Sequence, residues 1–431
     1  MRNAKGGDRG SYPSHHLRNS AARVEAIPLV KLILMMYCVP NRLIAAAFIV
    51  MVAGCGTATE TIAEGDRRLS PAAQAQLSEN LSQWVAEYQA QDEIPGVAMA
   101  VVMDDGILLL ETWGDRDLAQ QLPVTPQTLF HIGSTHKSMT ALLGAIAVDR
   151  GLLEWDAPLV ETFPELTLAD PDATENLTLR HLLSMRSGIH SDAEDDFEVD
   201  TATPEDLADY IAELELFSQP GDKFSYSNLS VSLAGYLIAL AERPDQDPFP
   251  DQDPFPAHAA LLQSWILDPI GMDDAVLQRS DALRGGNVAV PYRWDDTEGD
   301  WVTAEPEDFD DDVLAPSGGL KASVEDMAAY LITQVQGGVT PGGDRLVSAA
   351  NLAATWEPRW GTYAMGWEVA DYPDLWVLHH EGLYDNQLSI IGLLPDYGLG
   401  FVVLTNSAEA AENLIADVTD YLVEQVERLE D

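Results

Sequence analysis

Ser134-Thr135-His136-Lys137 sets a hydroxyl and an amine three residues apart at the head of an apolar run. Residues with that spacing share one face of a helix, about one turn from each other. A lysine stripped of water loses its proton easily and can then take the hydroxyl proton. The oxygen becomes a nucleophile for a carbonyl carbon, which is the first step of acyl transfer through serine. Ser134 is therefore the candidate nucleophile and Lys137 its proton partner.

Two further groups carry usable chemistry. Tyr226-Ser227-Asn228 follows a Pro220-Gly221 turn and precedes an apolar helical run from Val231 to Ala241. A loop tyrosine can shuttle a proton if nearby cations lower its pKa, and an asparagine amide can hold a substrate carbonyl or join the lysine network. His380-Glu381-Gly382 falls on an expected strand. There the histidine can relay a proton or orient substrate, with a titration near neutrality, and the glycine admits a substrate backbone. His379 and His380 are not a metal pair, because neighbours on a strand point to opposite faces and no H-E-x-x-H spacing follows. No metal and no cofactor are expected.

These groups need elements to position them. A helical pattern covers Pro71 to Ala90. Gly96–Met103 and Ile107–Trp113 read as strands joined by an Asp104-Asp105-Gly106 turn. The helix carrying Ser134 runs to about Arg150, with Gly151 closing it. From Leu152 to Asp326 the chain reads as helices and long loops. Strands return at Tyr363–Val369, Leu375–His380, Gln387–Leu394 and Leu399–Thr405, and an amphipathic helix covers Asn413–Leu429. Strands at both ends with helices between imply an α/β fold: one antiparallel sheet built from both chain ends, flanked by helices, with a largely helical insertion at about 151–326 and the α/β part at about 71–150 and 327–431. The site lies between the two parts.

Composition narrows the partners. The 431 residues carry 71 Asp+Glu against 23 Lys+Arg, a formal net charge of −48, and only five of the basic residues are lysine. Such a surface repels nucleic acid and anionic headgroups, and it suits a salty medium in which charge is screened. The clusters Glu194-Asp195-Asp196 and Asp308–Asp312 have no EF-hand spacing and read as solvated acidic loops. Asp245–Pro250 is repeated at Asp251–Pro256, a proline-rich tandem copy that reads as surface loop. The first 55 residues differ in charge, holding seven basic and two acidic residues. Arg42 precedes an apolar stretch from Leu43 to Ala53, which has the length of a signal core and closes in Val52-Ala53-Gly54-Cys55. This ending resembles a bacterial lipobox, which implies lipidation at Cys55, a tether over residues 56–70, and an extracytoplasmic, membrane-anchored protein at residues 71–431. Both cysteines, Cys38 and Cys55, fall in the leader, so the mature chain has no disulfide to rely on.

Taken in order and spacing, the three motifs resemble the serine β-lactamase and penicillin-binding-protein superfamily, and in particular its class C β-lactamase-related branch of D-Ala-D-Ala carboxypeptidases, D-aminopeptidases and esterases. The likeness runs from about Leu77 to Leu422 and includes Leu179–Gly188, Leu267–Asp273, Ala315–Leu320 and Leu404-Thr405-Asn406. It implies an acyl-enzyme on Ser134, Lys137 as its proton partner, Tyr226 as general base and acid, most clearly when water attacks the acyl-enzyme, Asn228 and Gly382 at the substrate, and an oxyanion hole from the N–H groups of Ser134 and Leu383. His380 stands where the family's K-T-G motif has lysine. Glu381 departs from the usual Ser or Thr, which in penicillin-recognising members binds a substrate carboxylate. The expected substrate is a small ester, amide or peptide. A neutral ester or amide fits these departures better than a β-lactam or a D-Ala-D-Ala terminus. The competing readings are a true β-lactamase or D-Ala-D-Ala carboxypeptidase and an anchored, catalytically silent binding protein on the same scaffold; the intact motif set argues against the silent protein. An α/β-hydrolase does not fit, since no G-x-S-x-G elbow is present.

Overall fold

The computed structural model describes residues 67–199, 202–242, 255–304 and 313–430. Cys55 and the leader, the tether through residue 66, the tandem copy through residue 254 and the acidic run 308–312 lie outside the described residues.

The strands are β1 (Gly96–Met103), β2 (Gly106–Asp117), β3 (Leu122–Pro123), β4 (Phe130–His131), β5 (Tyr292–Asp295), β6 (Asp300–Thr303), β7 (Lys321–Ala322), β8 (Glu368–Tyr372), β9 (Leu375–Tyr384), β10 (Gln387–Leu394) and β11 (Leu399–Thr405). Seven form one antiparallel sheet in the order β3-β2-β1-β11-β10-β9-β8. The two chain ends meet at its centre, where Val97 lies opposite Thr405 and Met103 opposite Leu399. Two further two-stranded ladders, β4–β7 and β5–β6, add strands to the middle of the chain.

β1 is apolar at every position because both its faces are covered. Val97, Met99 and Val101 face Leu77, Leu81 and Val85 of the helix Pro71–Gln91 and Leu414, Val418 and Leu422 of the helix Ala408–Glu430. The alternate residues Ala98, Ala100 and Val102 join the larger core, with Met327 and Leu331 of the helix Val324–Val335. That helix starts in a reciprocal cap between Ser323 and Asp326. Its Tyr330 hydroxyl donates to Ser138 Oγ at 2.8 Å, which ties it to the helix behind Ser134.

Two elements differ from expectation. The Ser134 segment opens as a 3₁₀ turn, Gly133–His136, and becomes α-helical at Lys137–Asp149. The strand expected from Tyr363 starts only at Glu368. Gly366, at φ +72°, brings the backbone so close to the nucleophile helix that a Cβ there would lie 2.6 Å from the Lys137 carbonyl oxygen. Residues 363–367 therefore wrap onto that helix instead of extending the sheet.

Candidate active site

In a 3₁₀ turn residues i and i+3 eclipse each other, so Ser134 and Lys137 stack more directly than on an α-helix. Lys137 Nζ lies 2.8 Å from Ser134 Oγ, 2.7 Å from Asn228 Oδ1 and 2.8 Å from the Ser317 carbonyl oxygen. The side chain is 1% exposed. Burial brings the ammonium down to about 7, against an upward pull from the Glu194 carboxylate. In the neutral form two N–H groups serve the two oxygens that can only accept, Asn228 Oδ1 and the Ser317 carbonyl. The lone pair is then left for the Ser134 hydroxyl.

Tyr226 and Asn228 are placed by one helix start. Ser227 is the N-cap of the helix Asn228–Ala241, its Oγ accepting from the Ser230 N–H at 3.2 Å. This fixes Tyr226 just outside the helix and Asn228 at its first position. The Tyr226 hydroxyl lies within reach of Ser134, and Lys137 Nζ sits 4.9 Å from the ring centroid. The expected lowering of the Tyr226 pKa is not what the surroundings produce. Burial raises it, and the carboxylates of Glu368 and Glu194 add to the rise, outweighing the Ser134 hydrogen bond. Tyr226 is a neutral phenol, able to donate.

His380 is 2% exposed. Its Nδ1 lies 2.6 Å from the Glu381 carbonyl oxygen, which can only accept, so the ring proton sits on Nδ1. Nε2 then accepts from the Tyr363 hydroxyl at 3.0 Å. Burial, with the Lys137 charge adding to it, drives the pKa to about 3. The titration near neutrality expected of His380 is therefore corrected: the ring is neutral and both nitrogens are engaged.

The turn between β9 and β10 sets where the Leu383 amide points. Asp385 and Asn386 both have positive φ, 47° and 57°, as a two-residue type I′ hairpin requires. Tyr384 and Gln387 then form a hydrogen-bonded pair, and Leu383, opposite Leu388, falls in the alternate class. Its N–H points away from β10. The other neighbour, β8, ends at Glu368 opposite His379, so this edge of β9 is open beyond it. The Ser134 turn fills that edge. A Cβ on Gly133 (φ +52°) would lie 2.7 Å from Leu383 N, and one on Gly382 would lie 2.1 Å from the Ile132 carbonyl oxygen and 3.0 Å from Ser134 N. Backbone meets backbone here, which only glycines allow, and the amides of Ser134 and Leu383 come to one place.

The structure thus brings together Ser134, Lys137, Tyr226, Asn228, His380, Gly382 and the Leu383 amide. Glu381 stands apart from His380 by strand alternation. Its surroundings are His379 and Glu368: burial and Glu368 raise its pKa while His379 lowers it. The carboxylates whose fields reach Tyr226 are Glu368 and Glu194. Sequence reasoning missed three members. Glu194, read as part of a solvated loop, accepts from Asn228 Nδ2 at 3.0 and 3.1 Å. Tyr363 reads in the sequence only as a strand start. Ser317 lies in a family-like segment, Ala315–Leu320, but acts here through a backbone carbonyl that no side-chain pattern marks.

A family model described as beta-lactamase matches residues 81–423. The chain belongs to the beta-lactamase family. It is 28% identical over 308 residues to the beta-lactamase of Escherichia coli (strain K12), covering 70% of this chain and 73% of that protein. It is 24% identical over 349 residues to penicillin-binding protein 4 of Amycolatopsis lactamdurans, covering 76% of this chain and 85% of that one. Against protein flp of Staphylococcus aureus the match takes in 63% of that protein's length. The fold is shared with the octameric penicillin-binding protein homologue of Pyrococcus abyssi, at a TM-score of 0.65 and 24% identity, over 80% of this chain and 77% of that one. This beta-lactamase-family chain thus has the family's sheet and its serine-hydrolase superfamily placement.

Proposed function

We propose that this chain is a serine hydrolase that cleaves a neutral ester or amide through an acyl-enzyme on Ser134. The observation that carries the reading is the Lys137 Nζ to Ser134 Oγ contact at 2.8 Å, made by a buried lysine whose pKa is near 7. Such an amine is partly neutral at physiological pH and is matched to a general base working there. Lys137 takes the hydroxyl proton as Oγ attacks the carbonyl carbon. The developing oxyanion is met by the amides of Ser134 and Leu383, fixed before reaction. Tyr226 gives its phenol proton to the leaving group; the phenolate so formed takes a proton from the water that attacks the acyl carbon, and Lys137 returns its proton to Ser134 Oγ as that ester bond breaks. Glu368 and Glu194 give the site a negative field, which disfavours substrates that must present a carboxylate, such as β-lactams and D-Ala-D-Ala termini. We also assign Cys55 as a lipid attachment point that holds the domain outside the cytoplasm.

A fluorophosphonate probe and short-chain p-nitrophenyl esters test the chemistry, alongside nitrocefin and D-Ala-D-Ala peptides. The probe labels the protein, ester turnover exceeds that of the carboxylate-bearing compounds, and Ser134→Ala loses both labelling and turnover. Labelling that persists in Ser134→Ala removes Ser134 from the mechanism.

A further inference from the structure

We infer that Glu194 is a positioning residue for the base: through Asn228 it fixes which end of that amide Lys137 meets, and it sets a carboxylate behind the buried amine. The inference rests on the reading of Lys137 as the base of Ser134.

Three observations converge. First, an amide can be turned either way, with oxygen or nitrogen toward a neighbour. Asn228 presents Oδ1 to Lys137 Nζ at 2.7 Å only because Nδ2 is taken on its other side by Glu194, at 3.0 and 3.1 Å. The opposite orientation would set an N–H against an N–H at Lys137 and an oxygen against a carboxylate. Second, Glu194 stands in a short 3₁₀ turn, Ser191–Glu194, in which the Ala193 carbonyl accepts from the Tyr210 hydroxyl at 2.7 Å. The turn is pinned to the helix Pro204–Glu213, which holds the carboxylate at the site although Asp195 and Asp196 beside it are exposed. Third, the other titratable groups around Lys137 bring no charge to it. His136 on its own turn and His380 on β9 are buried and neutral, and Tyr226 is a phenol. Glu194 supplies the countercharge that opposes the burial of Lys137.

The sign follows. The active form of Lys137 is neutral, so kcat/KM falls as pH drops through its pKa. A nearby anion raises the pKa of an ammonium, so removing the anion lowers it and moves the acid limb to lower pH. Glu194→Gln keeps an oxygen that can accept from Asn228 Nδ2 but has no charge. Glu194→Ala keeps neither. Glu194→Asp restores the charge.

The experiment is the pH profile of kcat/KM for p-nitrophenyl butyrate, together with the pH dependence of fluorophosphonate labelling, for the wild type and these three variants. The wild type shows an acid limb near pH 7. In Glu194→Gln the limb moves down by about one pH unit. Glu194→Ala moves the limb similarly and loses about tenfold at the plateau, as expected for an amide free to turn. Glu194→Asp returns the limb toward that of the wild type. A limb in Glu194→Gln that coincides with the wild-type limb overturns the inference. A wild type that is not labelled, or that shows no acid limb, instead overturns the acyl-enzyme reading beneath it. Should Glu194→Ala not fold, the Gln and Asp pair decides the matter alone.

Discussion

Replacing Gly382 by alanine tests whether the backbone packing of β9 on the nucleophile turn sets the rate. The added Cβ would lie 2.1 Å from the Ile132 carbonyl oxygen, 2.6 Å from Ser389 Oγ and 3.0 Å from Ser134 N. The Ser389 hydroxyl can rotate, at the cost of its 2.7 Å hydrogen bond to Ile132 O. The carbonyl and the amide cannot, because they belong to the turn that carries the nucleophile. Real Cβ contacts stay beyond 3.0 Å, so the turn and the strand must part by about 0.9 Å. That displacement separates the Ser134 and Leu383 amides, the two donors proposed for the oxyanion hole. A misplacement of about 1 Å costs on the order of 100-fold, equivalent to about 2.7 kcal/mol of transition-state stabilisation. The assay is kcat/KM on a p-nitrophenyl ester, with the rate of fluorophosphonate labelling and a thermal melt on the same samples. Gly285→Ala is the control, since a Cβ there meets nothing within 4 Å. Gly382→Ala should lose about 100-fold in both rate measurements while still melting cooperatively, and Gly285→Ala should match the wild type. A folded Gly382→Ala protein with wild-type kcat/KM would refute the claim that this contact sets the oxyanion geometry.

Tyr363→Phe removes the donor to His380 Nε2, a buried acceptor with a 3.0 Å partner. An orphaned buried acceptor costs about 1–3 kcal/mol, so denaturant melts should show a loss of that size and the His380 Nε2 resonance should shift; an unmoved resonance would contradict the assigned tautomer. The formal net charge of −48 makes the folded chain repel itself. Raising sodium chloride from about 0.1 M to about 1 M shortens the screening length from about 10 Å to about 3 Å and should raise the melting temperature. Potassium chloride should do the same, and a melting temperature indifferent to either salt would contradict the electrostatic account.

What the sequence disclosed was whatever depends on short range. Ser134 and Lys137 are three residues apart, and any helical turn brings them together. Ser227 caps its own helix, which places Tyr226 and Asn228 on either side of the cap. The apolar β1 and β11 and the amphipathic terminal helix announced a sheet closed by both chain ends, and the register of Val97 against Thr405 is that closure. The members that stayed hidden meet the site across the chain. Glu194 reaches Asn228 over 34 residues, and the Ser317 carbonyl reaches Lys137 over 180. Nothing local distinguishes Glu194 from Asp195 and Asp196, its exposed neighbours. Protonation was hidden for the same reason. Tyr226 and His380 are each capable of titrating at the nucleophile, and residue type alone leaves the choice of base open. Burial raises the one and lowers the other until both are neutral over the working range, while the Glu194 charge keeps Lys137 from following as far. Spacing determines which side chains can touch. The depth to which each is packed, and the Glu194 carboxylate behind Lys137, leave the amine as the group placed to exchange a proton with Ser134 in the proposed reaction.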